Sequence, residues 1–300
     1  MKVLISGGSG LVGAALTSSL RRDGHTVSRM VRPGSHAAAG DVPWNPLSAL
    51  VDVPAMEGFD AVVHLSGASI AGERWTAKRK QVLRSSRVDS TRVLVDALAH
   101  LKQPPRAFVC ASAIGFYGER GDEVLTESSG HGNDFLAILC RAWEGEASRA
   151  AASGIRTVMM RFGIVLSLDG GALPRMLTPF RFGAGGRLGS GKQWMSWIAL
   201  EDVVRVLRLA MDDMSWNGPV NLVAPEPVRN AEFTRVLASV LHQPAIFPAP
   251  ALALRLALGE MADALLLSSQ RVQPECLKQY GYTFRYENLE AALHAIVTKA

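Results

Sequence analysis

The sequence predicts an α/β fold, a doubly wound parallel sheet with a smaller C-terminal lobe. In the first half of the 300-residue chain, continuous apolar segments alternate with helical patterns. This alternation is typical of a parallel sheet that is covered by helices on both faces. After about residue 165 the alternation gives way to a stretch rich in Gly, Arg and aromatic residues, and further helical patterns follow. We therefore expect a sheet-forming domain with a lobe beside it.

The expected strands are short, and the segments between them are long enough for right-handed crossovers. These strands are 2–6, 26–31, 61–65, 107–111, 156–161 and 219–223. The expected helices are 10–22, 76–100, 134–152, 201–212 and 229–242, with further amphipathic helices after residue 250.

Composition excludes several classes of function. The net charge is +5, but the basic residues are dispersed, so we expect no nucleic-acid partner. The three cysteines form no C-x-x-C pair and the seven histidines no H-E-x-x-H motif, so we expect no metal site. No apolar run reaches the length of a membrane span, and glycines interrupt the apolar start, so we expect a cytoplasmic protein without a membrane partner.

Three glycines follow the first expected strand at the spacing G-x-x-G-x-x-G. Gly7 permits a tight turn, Gly10 admits a pyrophosphate, and Gly13 lets the helix lie close to the strand. Amides at the start of this helix would face the anion. The motif predicts a Rossmann-type dinucleotide site; the alternative is simply a tight strand-to-helix turn.

The end of the second expected strand indicates which dinucleotide binds. NAD sites commonly place an acid there to accept from the ribose 2′-hydroxyl. This chain has Arg32 instead, and a guanidinium suits a 2′-phosphate. We therefore predict NADP(H); the alternative is that Arg32 is only a surface loop residue.

Two further regions are expected to approach the cofactor. Small residues after the third expected strand, Ser66 and Gly67, would let the backbone pass near the ribose and pyrophosphate, and Arg87 could reach back to the phosphates.

We accordingly divide the chain into two parts. The first is a dinucleotide-binding domain, 1–165 with 199–224 returning to it, and the second is a substrate-side lobe, 166–198 and 225–300.

The chain resembles the extended short-chain dehydrogenase/reductase superfamily through "SGGSGLVG", "DAVVHLSGASI", "ASAIGFYG", "LTESS" and "SWIALEDVVRVL". More narrowly, it is similar to epimerase-like proteins of the nucleoside-diphosphate-sugar epimerase family, through "RWTAKRKQVLRSSRV", the long segment from Arg161 to Ile198 and the tail from Gly259. The tail resembles the small C-terminal domain that accompanies this subgroup. The resemblance covers nearly the whole chain.

The resemblance implies bound NADP(H). It assigns the cofactor contacts to Gly7, Ser9, Gly10, Leu11, Val12, Gly13, Arg32, Leu65, Ser66, Gly67 and Arg87, with the backbone at Arg161 passing near the nicotinamide.

The catalytic signature departs from the superfamily. Its enzymes use a Tyr whose pKa is lowered by a Lys one helical turn later, but no Tyr-x-x-x-Lys occurs in this chain, and Leu136 and Cys140 occupy the matching positions. Ser112 and Tyr117 follow the fourth expected strand and are our catalytic candidates. The alternative is that Tyr117 is a packed loop aromatic and Ser112 caps backbone.

Two functions remain open at this point. The first is an epimerase-like oxidoreductase acting on a small molecule, with the basic, Trp-containing segment 175–197 as a substrate wall. The second is a non-catalytic NADP(H)-binding redox sensor or partner-binding module, which the missing Tyr-Lys pair favours. The sequence leaves open whether the protein is a monomer or a homodimer.

Overall fold

A parallel sheet forms the centre of the molecule in the computed structural model, which describes residues 1–298. The strands are β1 (Lys2–Ser6), β2 (Thr26–Val31), β3 (Val42–Asn45), β4 (Leu50–Val51), β5 (Ala61–His64), β6 (Ala107–Ala113), β7 (Val124–Leu125), β8 (Arg156–Phe162), β9 (Ile164–Leu166), β10 (Trp194–Met195), β11 (Trp197–Ala199), β12 (Gly218–Leu222), β13 (Val228–Arg229) and β14 (Arg271–Val272). The main sheet has the order β12-β8-β6-β5-β1-β2-β3-β4. All its pairs are parallel except β3 with β4.

The α-helices are α1 (Leu11–Arg22), α2 (Ala77–Arg84), α3 (Ser90–Ala99), α4 (Phe135–Ser148), α5 (Leu173–Arg181), α6 (Leu200–Asp212), α7 (Asn230–Leu241), α8 (Ala251–Leu258), α9 (Glu260–Ala262), α10 (Glu275–Gln279) and α11 (Leu289–Val297). Short 3-10 turns occur at Pro54–Met56, Ile114–Tyr117 and Arg149–Ser153, and π-helical turns at Ser85–Asp89 and Asp263–Leu267. No helix within residues 1–298 is both long and apolar enough to cross a membrane.

Side chains of the central strand alternate between two apolar cores. Leu4 packs with residues of α3 and α4 on one face of the sheet, whereas Val3 and Ile5 pack with residues of α1 and α6 on the other. Strands that are buried on both faces need apolar side chains at every position, as "VLI" provides. The expected doubly wound α/β fold is confirmed.

A third apolar core joins the elements of the second half of the chain. It contains Trp197, Leu177 of α5, Phe233 of α7 and Leu293 of α11. By contrast, α6 and β12 belong to the main sheet and its covering layer. The division into a nucleotide-binding domain and a lobe stays a prediction.

The short strands β7, β9, β10, β11, β13 and β14 and the helix α5 were not expected, and three further differences concern the expected elements and the sheet edge. The expected helix 76–100 is interrupted by the π-helical turn Ser85–Asp89. The short strands β3 and β4 extend the sheet beyond β2, and such short segments carry little periodicity. Finally, α8 has no buried residue, so its apolar side chains do not form the buried face that we expected of an amphipathic helix.

Candidate functional site

The glycine turn packs directly against the backbone that follows β5. Gly7 has a φ of +71°, and a Cβ on it would lie 2.7 Å from both the carbonyl carbon and oxygen of Leu65. A Cβ on Gly13 would lie 2.2 Å from the carbonyl oxygen of Gly7. Both positions therefore exclude a side chain, as the motif predicts.

The first turn of α1 is open to an incoming anion. Gly10 is its N-cap and provides no side-chain hydrogen bond to the first amides, and Ser9 and Gly10 are exposed. Leu11 and Val12, which open the helix, are half-buried. Uncapped amides at a helix N-terminus carry partial positive charge and favour a phosphate.

Arg87 reaches the same edge of the sheet from the π-helical turn. Its Cζ lies 3.2 Å from the position that a Cβ on Gly67 would take. Its Nη2 donates to the carbonyl oxygen of Ala68 at 3.0 Å, and its Cζ lies 5.4 Å from the ring centroid of Trp143. Burial lowers the pKa of Arg87. The structure thus brings Arg87 to the half-buried Ser66 and the exposed Gly67, beside the glycine turn.

The two arginines near the end of β2 have different environments. Arg29 is held by Asp41, whose Oδ2 accepts from Nη2 at 2.6 Å and from Nε at 3.2 Å. Arg32, directly after β2, is exposed, and its side chain has no hydrogen bond or ion pair among residues 1–298. Arg32 is therefore free to meet an anion, whereas Arg29 is committed to Asp41.

A positively charged groove lies beside the glycine turn. Its volume is about 600 Å³, and it is open to solvent. It is lined by Gly8, Ala14, Thr17, Ser18, Arg21, Arg22 and Arg29. Clustered guanidinium groups favour binding of a phosphate.

Ser112 belongs to a buried network at the carboxyl ends of β6 and β8. Arg161 is 3% exposed and forms two parallel bonds to Glu144, from Nε to Oε1 at 2.8 Å and from Nη2 to Oε2 at 2.8 Å. Ser112 Oγ donates to the same Oε1 at 2.6 Å. The Glu144 carboxylate thus accepts three hydrogen bonds. It neutralises the Arg161 guanidinium and fixes the orientation of the Ser112 hydroxyl.

Tyr117 is enclosed by the same network. Its hydroxyl accepts from Arg161 Nη1 at 2.9 Å and lies 2.7 Å from Oδ1 of Asn221 and 2.9 Å from the carbonyl oxygen of Thr126. The ring is 0% exposed, and burial raises the pKa of Tyr117 to about 12. A phenol in this position has its proton bound internally. Tyr117 is thus an enclosed side chain, and Ser112 is bonded to a carboxylate and not to backbone. The catalytic role of both residues stays a prediction.

Apolar side chains occupy the face of α4 where the superfamily's Tyr-Lys pair would lie. Leu136 is 8% exposed and Cys140 3% exposed. The Cβ of Leu136 lies 3.3 Å from where a Cβ on Gly115 would be, so α4 packs closely on the turn after β6. Burial raises the pKa of Cys140 to about 12. The two positions of the Tyr-Lys pair are therefore held by an apolar side chain and a buried thiol, and Glu144, one turn beyond Cys140, is engaged by Ser112 and Arg161.

The basic, Trp-containing segment 175–197 does not form one patch. Trp197 is fully buried, whereas Trp194 lies between Arg229 and Arg271, each with its Cζ 4.5 Å from the ring centroid. The substrate wall that we expected from this segment stays a prediction. Residues 1–298 contain no cluster of His, Cys, Asp and Glu that could hold a metal ion.

Sequence reasoning missed the residues that hold the arginines. Glu144 lies in a charged helical stretch, "RAWEGEA", that resembles a solvated face, and Asp41 lies in a loop twelve residues after Arg29. Asn221, which contacts Tyr117, was missed inside an expected strand. The one usable signal was an Arg within an otherwise apolar strand, because such a charge needs a buried partner.

Comparisons with known proteins agree with this geometry. Residues 3–222 match the model of the NAD dependent epimerase/dehydratase family, and residues 249–296 match a domain of unknown function, DUF1731. The epimerase family protein Mb2239 of Mycobacterium bovis is 44% identical over 297 residues, which covers 99% of this chain and 98% of that protein.

Two solved structures are similar over the whole chain. The crystal structure of human epimerase family protein SDR39U1 (isoform 2) with NADPH superposes with a TM-score of 0.92 at 32% identity and covers 100% of both chains. The nucleoside-diphosphate sugar epimerase from Corynebacterium glutamicum gives a TM-score of 0.82 at 36% identity, covering 99% of this chain and 58% of that chain.

Proposed function

The chain belongs to the NAD dependent epimerase/dehydratase family, and from this premise we propose that it is an NADP(H)-binding oxidoreductase acting on a small molecule. The observation that carries the proposal is the glycine turn. At Gly7 and Gly13 a Cβ would overlap backbone, and this turn opens onto the uncapped start of α1. Such a turn lets a dinucleotide pyrophosphate approach main-chain amides.

We assign the pyrophosphate and adenosine ribose to the residues around this turn. Amides from Ser9 to Val12 and the Gly10 backbone would bind the pyrophosphate, as would Arg87, whose guanidinium lies against Gly67. The backbone at Leu65, Ser66 and Gly67 would border the ribose. The close approach of Leu65 to Gly7 supports this assignment, because it places both segments at one edge of the sheet.

We assign the 2′-phosphate of NADP(H) to Arg32. Its side chain is exposed at the end of β2, where an NAD site would have an acid. The groove beside the glycine turn adds the guanidinium groups of Arg21 and Arg22, whereas that of Arg29 is neutralised by Asp41. The human relative solved with NADPH supports the preference for the phosphorylated cofactor.

The nicotinamide end would lie over the carboxyl ends of β6 and β8, because a dinucleotide spans both halves of such a sheet. When bound, NADPH supplies a hydride. The backbone from Arg161 to Gly163 would border this end, and the buried Leu136 of α4 would contribute an apolar contact.

We propose a positioning role for Arg161, Glu144, Ser112 and Tyr117 in place of the catalytic role expected of Ser112 and Tyr117. The network ties β6, β8 and α4 together directly below the proposed nicotinamide site. Its groups are hydrogen-bonded to one another, so they hold the surrounding backbone in place.

A non-catalytic NADP(H) sensor is the second candidate. The observation that favours it is the enclosure of the Tyr117 hydroxyl, together with an apolar face of α4 at Leu136 and Cys140. A sensor would bind the cofactor with the same residues and would not oxidise NADPH in the presence of any substrate.

The proposal is tested by measuring NADPH and NADH affinities of the wild type and of Arg32→Asp. We expect the wild type to prefer NADPH, and Arg32→Asp to lose at least about tenfold in NADPH affinity with little change for NADH, because a charge-assisted bond contributes about 1.5–3 kcal/mol. Arg235→Asp, an exposed arginine on α7, is the matched control.

Equal affinities of the wild type for the two cofactors would contradict the NADP(H) assignment. Turnover separates the two candidate functions: NADPH consumption with a panel of carbonyl and conjugated acceptors supports the oxidoreductase, and tight binding without consumption supports the sensor.

A further inference from the structure

We propose that the second substrate is an apolar, conjugated two-electron acceptor, of the quinone or isoalloxazine type, which takes its proton from water and not from a protein side chain. This inference rests on the proposed function, since it concerns the same site. It names the class of molecule that this site can reduce.

The first step concerns the residues at the carboxyl ends of β6 and β8. Beyond β6 come Ala113 and the turn Ile114–Tyr117, and beyond β8 comes Gly163. A Cβ on Gly163 would lie 2.7 Å from the carbonyl oxygen of Ser196, so this edge is closely packed backbone. Leu136 of α4 packs on the turn after β6, where its Cβ lies 3.3 Å from the position that a Cβ on Gly115 would take. Apart from the enclosed Tyr117 hydroxyl and the buried Cys140 thiol, these surfaces are apolar or main chain.

The second step concerns the nearest hydroxyl groups. Ser112 Oγ donates to Glu144 at 2.6 Å, and the Tyr117 hydroxyl lies between Arg161 and the acceptors of Asn221 and Thr126. Moving either proton to a substrate would break a buried network. Such a loss leaves charged or polar groups buried without a partner, which is strongly unfavourable.

The chemistry of hydride acceptance follows from these two steps. An isolated ketone becomes an alkoxide when it accepts hydride, and enzymes normally stabilise this charge with a positioned acid, a contribution of about 10²–10⁴-fold in rate. A conjugated acceptor spreads the charge over its own ring system. Such an acceptor needs no protein acid.

The redox balance is complete with NADPH as reductant. The C4–H bond of the dihydronicotinamide breaks, and the hydrogen forms a bond to the acceptor with both electrons. The cofactor leaves as NADP⁺, and the acceptor becomes a delocalised anion. One proton from water then gives the neutral, two-electron-reduced product.

The side chains above Leu136 match an apolar acceptor better than a sugar. Half-buried Ile70, Phe162 and Leu265 pack on the large apolar core to which Leu136 and Met261 also belong, and we assign these three side chains to the wall of the acceptor site. Two contacts connect the C-terminal part of the chain to this region. Lys80 forms an ion pair with Glu260, and the Arg74 side chain lies against Gly259. Sugar hydroxyls that are buried against such side chains would lose hydrogen bonds to water without replacement.

The test combines binding and turnover with two probes whose reduced anion is delocalised, menadione and riboflavin, and one aryl ketone, acetophenone, whose alkoxide product keeps its charge on one oxygen. Calorimetric titration of each probe into NADP⁺-saturated protein measures binding independently of activity. NADPH oxidation is then followed under nitrogen against a blank without protein. We expect menadione or riboflavin to bind and to be reduced at least about tenfold faster than acetophenone. The faster probe identifies the quinone or the flavin type.

Substitutions of the apolar wall localise the binding. Leu265→Gln should weaken binding of the conjugated probe about tenfold and leave NADPH affinity unchanged, whereas Leu265→Met should keep both. Ile70→Gln gives the same comparison from a different loop if Leu265→Gln does not fold.

The inference is overturned if NADPH binds but acetophenone is reduced as fast as the conjugated probes, or if neither conjugated probe binds. Failure of the wild type to bind NADPH at all is a separate result; it rejects the proposed function, and this inference falls with it.

Discussion

Arg161 and Glu144 form a bidentate ion pair beneath the carboxyl ends of β6 and β8, with both N–O distances at 2.8 Å. The two side chains are 4% and 10% exposed, so the pair lies almost entirely out of water. Phe116 covers the guanidinium, with Cζ 3.6 Å from its ring centroid. A buried charge is stable only with its counter-ion, because no water is present to solvate it when the counter-ion is removed.

Removing only one member of the pair should be strongly destabilising. Glu144→Leu leaves the Arg161 guanidinium buried without its counter-ion, and we expect the free energy of unfolding to fall by about 3–5 kcal/mol. The double variant Glu144→Leu with Arg161→Met removes both charges and should lose less. Urea unfolding of the wild type and both variants measures this difference. A double variant less stable than Glu144→Leu would contradict it.

Replacing Tyr117 with Phe should mainly affect stability. The substitution keeps the ring but removes a hydroxyl with three buried partners, and we expect a loss of about 1–3 kcal/mol. NADPH affinity should change little, because the hydroxyl faces Asn221 and Thr126 inside the protein. Urea unfolding and NADPH titration of Tyr117→Phe measure both effects. A large loss of NADPH affinity with unchanged stability would return Tyr117 to the active site.

The pKa of Tyr117 predicts how alkali acts on the protein. Burial raises this pKa to about 12 in the folded state, above the ordinary value of 10.0. The stability that Tyr117 contributes is therefore fully present below pH 10 and is lost as the pH rises towards 12. Tyr117→Phe should flatten the fall in unfolding free energy over this range. An unchanged alkaline slope would show that Tyr117 does not titrate there.

Local patterns were sufficient for the strands and helices of the sheet-forming region, except for the short edge strands β3 and β4. The ends of β1, β2 and α6 fall within one residue of the expected ones, because apolar runs and helical periodicity are local properties. The glycine turn could also be predicted, since its spacing is contiguous in sequence. The π-helical turn at Ser85–Asp89 could not, because it arises within a continuous helical pattern.

The buried partners of the arginines could not be predicted in the same way. Glu144 meets Arg161 across a separation of 17 residues, and Tyr117 meets Asn221 across 104 residues. Such contacts depend on how β6, β8, β12 and α4 pack, which no local pattern specifies. The same limitation explains why Tyr117 was a catalytic candidate in the sequence and an enclosed side chain in the structure.

His64 should make the protein sensitive to acid. It is fully buried in β5, with Nδ1 2.6 Å from Ser6 Oγ, and burial lowers its pKa to about 3. A histidine with a lowered folded pKa binds fewer protons when folded. The stability that His64 contributes is thus present above the ordinary histidine pKa of 6.5 and is lost as the pH falls from there towards about 3. The limiting slope is about 1.4 kcal/mol per pH unit.

Unfolding measurements between these pH values test the role of His64. The double variant His64→Phe with Ser6→Ala removes the titrating ring and its hydroxyl partner together, and should flatten the acid slope. Ser6→Ala alone keeps the buried ring between Trp44 and Phe108, and should keep the slope. The same slope in the double variant would assign acid sensitivity to other groups.

Two helical glycines should respond in opposite ways to the same substitution. At Gly13 in α1, a Cβ would lie 2.2 Å from the Gly7 carbonyl oxygen, so Gly13→Ala must displace the helix from the turn. Gly145 in α4 is exposed, with no atom within 4 Å of its Cβ position. There Ala should stabilise the helix by about 0.5–1 kcal/mol. Thermal unfolding should show a lower midpoint for Gly13→Ala and a higher one for Gly145→Ala.

NADPH titration should show lost affinity only for Gly13→Ala, since only that substitution moves the amides assigned to the pyrophosphate. Unchanged NADPH affinity in a folded Gly13→Ala protein would mean that the start of α1 does not form the phosphate site.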